Sequence, residues 1–159
     1  MASSMCPSIL NRSIRSSGNR RGQLFTSTTE TRLSPGAQQT VLIAEDEGEI
    51  RELLAMMFES EGLAVLKAAD GEQALAFVKE HPHDIVLLVT DLGLPKLGGI
   101  ELIQQARVFI PGLKVIAATG FGHINVRTEL HNVGVEDFFP KPFSPIELLA
   151  AARRLLGES

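Results

Sequence analysis

The sequence predicts an α/β fold in which five parallel strands form one sheet with helices on both faces. Three observations predict it. Short apolar runs of strand length recur five times between Val41 and Phe139. Each is followed by a stretch whose apolar residues fall at helical rather than alternating spacing. Gly, Pro and Asp punctuate the boundaries between the two kinds of segment. Strict alternation of strand and helix demands parallel strands joined by right-handed crossovers.

The elements follow in order. Val41-Leu42-Ile43-Ala44 is the first strand and ends in Glu45-Asp46-Glu47. Ile50, Leu53, Leu54, Met57 and Phe58 mark one buried face of a helix that Gly62 closes. Ala64-Val65-Leu66 is the second strand. Asp70 is an N-cap candidate for a helix carrying Ala74, Leu75, Phe77 and Val78, which Pro82 stops. Ile85 to Val89 is a continuous apolar run, the signature of a strand covered on both faces, with Thr90-Asp91 at its C-terminal end. Gly93, Pro95, Gly98 and Gly99 make a loop, and Ile100, Leu102, Ile103, Ala106 and Arg107 a third helix ending before Pro111-Gly112. Val115 to Ala118 is the fourth strand, with Thr119-Gly120 after it. A weaker helix runs from Ile124 to Asn132. Val135 to Phe139 is the fifth strand, followed by Pro140-Lys141-Pro142. Ser144 caps a last helix whose Ile146, Leu148, Leu149, Ala152, Leu155 and Leu156 form an apolar face ended by Gly157. The pattern alone leaves strand order open. The flavodoxin-like order 2-1-3-4-5 is the common solution for a domain of this length.

The domain is expected to occupy residues 40–159. Residues 1–39 are rich in Ser, Thr, Arg, Gly and Asn without apolar periodicity and read as a disordered tail or linker. Their Arg-rich, acid-poor composition also fits an organelle transit peptide, whereas the missing apolar h-region argues against a secretory signal. Charge divides at the same point. Residues 1–40 carry five Arg and one acid, and residues 41–159 carry ten basic and eighteen acidic side chains. An acidic domain without Trp or Tyr argues against direct nucleic-acid binding. The single cysteine, Cys6, excludes an internal disulfide and a Cys-based metal site, and no apolar run approaches membrane-spanning length. A cytoplasmic location is the expectation. The four histidines show no ligand spacing on one face.

In an open parallel sheet, ligands bind at the carboxyl ends of the strands. Strand one ends at Glu45-Asp46, strand three at Asp91, strand four at Thr119 and strand five at Lys141. With the order above these ends are neighbours, so three carboxylates, a hydroxyl and an ammonium share one patch. Each alone has a plain reading: acids favour a helix N-terminus, Thr before Gly is a turn, and Lys141 is a surface charge. Together they describe phosphoryl chemistry. Crowded carboxylates are relieved by a divalent cation, and an all-oxygen donor set suits Mg²⁺. Asp91 is placed as a nucleophile able to form an acyl phosphate. Lys141 and Thr119 are placed to hold phosphoryl oxygens.

Over about 118 residues the chain resembles the receiver domain of two-component response regulators. The resemblance rests on Val41 to Glu47, on Asp91-Leu92-Gly93-Leu94-Pro95 with Gly98-Gly99, on Ala118-Thr119-Gly120, and on Phe138-Phe139-Pro140-Lys141-Pro142-Phe143. It implies that Asp91 is the phosphoacceptor. Asp46 would bind Mg²⁺ directly, Glu45 directly or through water, and Gly93 by its main-chain carbonyl, with Mn²⁺ an acceptable substitute. Thr119 would be the switch hydroxyl, Lys141 the phosphoryl partner, Phe138 the aromatic switch, and Lys141–Pro142 a cis bond. Gly93 and Phe121, two positions past the acceptor and the switch hydroxyl, would tune dephosphorylation toward a slow rate. The implied donor is a histidine kinase or a histidine phosphotransfer protein, and the downstream target is not named by the sequence.

The resemblance implies a switch rather than a conventional enzyme, either free-standing or the C-terminal receiver of a hybrid histidine kinase. The segment Ala118-Thr119-Gly120-Phe121 is similar to hybrid-kinase receivers. Two competing functions are an Asp-nucleophile phosphatase and a degenerate receiver serving only as a binding module. Gly93 disfavours the first, because such enzymes place a second Asp there. The filled key positions disfavour the second.

Overall fold

The computed structural model describes residues 38–120 and 126–157. The expectation for residues 1–39 therefore lies outside the described residues, apart from Gln38 and Gln39. The described elements run β1 (Thr40–Ala44), α1 (Gly48–Ser60), β2 (Ala64–Ala68), α2 (Gly71–Glu80), β3 (Ile85–Asp91), α3 (Gly99–Phe109), β4 (Lys114–Thr119), α4 (Val126–Asn132), β5 (Asp137–Pro140) and α5 (Pro145–Leu155). All strand pairs are parallel, and the order is β2-β1-β3-β4-β5.

Side chains of successive strand residues point to opposite faces, and β1 divides the core accordingly. Leu42 and Ala44 join Leu88, Val115 and Ala117 beneath α2, α3 and α4. Val41 and Ile43 join Leu87, Val89 and Ile116 beneath α1 and α5. All four β1 side chains from Val41 to Ala44 are completely buried. That explains why β1 and β3 read as unbroken apolar runs. Phe58, the largest wholly buried side chain, anchors α1 to the second layer, and burying it stabilises the fold by roughly 1.5–3 kcal/mol.

Several boundaries shift for identifiable reasons. In α1, Ala55 is buried and Leu53 is exposed, so the apolar stripe is narrower than the sequence spacing suggests. Ile146 in α5 is likewise exposed. The fifth strand begins at Asp137 rather than Val135. Gly134 takes a positive φ of 74°, the Val135 N–H turns back to Leu130 O, and pairing with β4 starts at Ile116↔Asp137. Pro140 ends β5, where lacking an N–H is tolerated because β5 is an edge. The onset expected at Ile124 falls outside the described residues, and α4 is described from Val126.

Helix ends follow the expected chemistry. The Asp70 carboxylate accepts from Gln73 N–H at 2.8 Å, and Ser144 Oγ accepts from Glu147 N–H at 3.3 Å, with Pro145 at the first position of α5. Gly62 and Gly157 follow α1 and α5 with positive φ of 85°. Ser144→Ala removes one N-terminal acceptor and is expected to lower stability by about 1 kcal/mol. Urea unfolding with an unchanged midpoint would contradict that role.

Candidate functional site

Strand register builds the site. Asp91 lies opposite Ala118 on β4, and Thr90 opposite Ala44, the last residue of β1. Thr119 lies opposite Pro140, so Lys141 emerges beside it, with its N–H bonded to Thr119 O at 2.6 Å. The register thus brings the ends of these parallel strands to one level, where their terminal side chains meet. Asp46, Asp91, Gly93, Thr119 and Lys141 line one open cleft of about 340 Å³ together with Glu47 and Gly120.

Lys141 is the hub. Its Nζ lies 2.9 and 3.1 Å from the two Glu45 oxygens, 3.0 Å from Asp91 Oδ2 and 3.2 Å from Glu47 Oε1. Burial alone would lower the pKa of this ammonium. Hydrogen bonds to Glu45 and Asp91 outweigh burial and hold it well above the ordinary lysine value. Glu45 is only 3% exposed. Burial pushes its carboxyl up, against the opposing pull of Lys141 and of the Glu47 N–H, which donates to Oε2 at 3.1 Å. The main chain here is held as well, since Arg51 Nη1 donates to Glu45 O at 2.7 Å.

Asp91 uses its other oxygen, Oδ1, to accept from Gly93 N–H at 3.0 Å. Its carboxylate is therefore oriented from two sides, by an ammonium and by an amide of its own loop. Carboxylate oxygens of Glu45, Asp46 and Asp91 approach within 4.8 Å of one another. This all-oxygen, acidic set fits a hard divalent cation and could hold one. Thr119 Oγ1 is buried without a hydrogen-bond partner among the described residues. A buried hydroxyl on a residue that lines the same cleft as Lys141 suits an incoming anionic oxygen.

The remaining expectations are placed as follows. The Lys141–Pro142 bond is cis. Phe138 lies outside the acidic cleft and lines a neighbouring groove of about 350 Å³ with Arg127, Leu130 and His131, the Arg127 guanidinium carbon standing 5.5 Å from its ring centre. Phe121 falls outside the described residues. Sequence reasoning missed the contact of Glu47 with Lys141. That contact spans 94 positions, and no local pattern signals it. No helix among the described residues is long and apolar enough to cross a membrane.

Comparison with known proteins is consistent with this geometry. The profile of the response regulator receiver domain matches residues 41–153. Sporulation initiation phosphotransferase F of Bacillus subtilis (strain 168) is 34% identical over 118 residues, covering 74% of this chain and 94% of that protein. Response regulator GtcR of Aneurinibacillus migulanus is 36% identical over 112 residues, covering 70% of this chain and 45% of that protein. The chain thus spans about half the length of several curated relatives it matches. The CheY-like response regulator receiver domain protein of Methanospirillum hungatei JF-1 superposes with a TM-score of 0.69 at 28% identity, covering 75% of this chain and 94% of that one.

Proposed function

The chain belongs to the response regulator receiver domain family of two-component systems, and from that premise we propose that Asp91 accepts a phosphoryl group from a phosphohistidine donor. The donor would be a histidine kinase or a histidine phosphotransfer protein, and residues 40–159 would be the receiving unit. The observation that carries this reading is the convergence in one acidic cleft of Asp91, Lys141 and the Thr119 hydroxyl, which has no hydrogen-bond partner among the described residues.

In the transfer, an Asp91 oxygen forms a bond to phosphorus while the N–P bond of the donor breaks. The donor imidazole leaves with that electron pair and takes up one proton. Gly93 N–H and Lys141 orient the Asp91 carboxylate for attack. Lys141, already desolvated, exchanges a carboxylate partner for a phosphoryl oxygen. Thr119 donates its hydroxyl to another. Asp46, Asp91 and the Gly93 carbonyl, with Glu45 directly or through water, would hold Mg²⁺. When bound, it supplies neutralisation of the charge on the transferring group.

The modified domain would then populate a second arrangement of β4, α4 and β5 that a partner reads. The phosphoryl group shifts that equilibrium only by interacting better with one state. Thr119 and Phe138 would report the change to the groove beside Arg127.

Acetyl phosphate with Mg²⁺ is the direct test. Wild type should gain the mass of one phosphoryl group, about 80 Da, and omission of the divalent ion should abolish the gain. Protein that stays unmodified would sink the reading in favour of a binding module. A second prediction concerns lifetime. Gly93 has no side chain to position an attacking water, so the phosphorylated domain is expected to persist for minutes or longer. Loss of the adduct within seconds in the absence of a phosphatase would refute that expectation.

A further inference from the structure

We propose that the contact between Gly71, at the start of α2, and the tip of the β3–α3 loop at Lys96 is a positioning device for the phosphoacceptor. This inference rests on the receiver reading above and adds to it two residues remote from the acidic cleft. The loop from Leu92 to Gly98 carries Gly93, whose N–H fixes one Asp91 oxygen. What sets the loop therefore sets the acceptor.

The loop is held at two points by approaches too close for any side chain. At its C-terminal end, Gly99 N–H bonds to Leu92 O at 3.1 Å, and a Cβ built on Gly99 would stand 2.5 Å from Asp91 O. At its tip, Gly71 N–H donates to Pro95 O at 3.2 Å, and a Cβ on Gly71 would stand 1.9 Å from Leu97 O. That neighbour is backbone and cannot swing aside. Pro95 O also accepts from Leu97 N–H at 2.7 Å, closing a three-residue turn around Lys96. Lys96 there takes a φ of 70°, the single positive value outside glycine among the described residues. A turn of this hand is strained for a residue with a side chain and persists only where its surroundings impose it. Gly71 supplies the surroundings, and Asp70, which caps α2, places its carboxylate 3.5 Å from Lys96 Nζ. The strained tip, the glycine beneath it and the Asp91 carboxylate thus form one mechanical chain.

The test uses the full chain and two variants that attack the contact from opposite sides. Gly71→Ala forces Leu97 O away. Lys96→Val places a β-branched residue where φ is positive. Gly112→Ala is the control, because a Cβ there meets nothing within 4 Å. The first readout is amide exchange of Gly93 in EDTA, which needs neither metal nor phosphoryl group. Both variants should exchange this amide faster than wild type and the control, at thermal unfolding temperatures that leave them folded. The second readout is Mg²⁺ affinity by calorimetry, expected to fall roughly tenfold, as for other groups that orient a metal ligand. A folded Gly71→Ala with wild-type Gly93 exchange and Mg²⁺ affinity overturns the proposal. Should Gly71→Ala not fold, Lys96→Val decides by the same criteria. If wild type itself binds no Mg²⁺, the receiver reading has failed, while the exchange result still judges the positioning contact.

Discussion

Asp91→Asn is expected to take up no phosphoryl group, with modification by acetyl phosphate and Mg²⁺ falling at least roughly a thousandfold. The amide keeps the shape and the bond from Gly93 N–H but offers no anionic oxygen to attack phosphorus. It also removes one of the three carboxylates around Lys141, so the folded domain should melt no lower than wild type. This pairing separates chemistry from folding: the mass adduct disappears while the melting temperature holds. An adduct of undiminished yield on the variant would place the acceptor elsewhere.

Lys141→Met should have the largest effect on stability. The ammonium is 15% exposed and serves Glu45, which is more deeply buried, and Asp91. Its loss leaves Glu45 and Asp91 facing one another without a counter-charge. Breaking such a pair in a dry interior costs about 3–5 kcal/mol, and the opening of this cleft to water reduces the expected loss to about 2 kcal/mol at pH 7. The pH dependence has a definite sign. Lys141 has a folded pKa raised above its ordinary value of 10.5, so its stabilisation is fully present below pH 10.5. It is lost as pH rises through the folded value. The gap between wild type and Lys141→Met, measured by urea unfolding in EDTA, should therefore be level on the neutral side of pH 10.5 and shrink above it. A gap that widens with alkalinity would contradict the ion-pair account.

Much of this architecture was legible because β1, β3 and β4, three of the strands that position the site, are the most deeply buried. Val41 to Ala44, and Ile85 to Val89 apart from the half-buried Val86, are shielded from water on both faces, and that leaves an unbroken apolar run. The polar residues that follow such runs must then lie at the sheet's carboxyl edge, which is how Glu45, Asp46, Asp91, Thr119 and Lys141 could be grouped. Less was legible where tertiary contacts override local pattern. Val135 looks like strand, yet Glu136 is drawn aside: its carboxylate accepts from Val115 N–H at 2.8 Å and from Arg107 Nη2 at 3.1 Å. Leu53 and Ile146 fit an apolar stripe but have no layer to cover them. The role of Gly71 depends on a backbone 26 positions away, which no spacing within α2 records.

The buried Thr119 hydroxyl carries a consequence for energetics of response. A polar atom left without an acceptor in a dry place raises the free energy of the state that contains it, by about 1–3 kcal/mol. Among the described residues the Thr119 hydroxyl has no such acceptor. On the proposed reading, an arriving phosphoryl oxygen would give that hydroxyl an acceptor in addition to exerting its own attraction. Thr119→Val, which has no hydroxyl to donate, would lose that added interaction with the phosphoryl group. Its threshold for response would rise although Asp91 could still be charged.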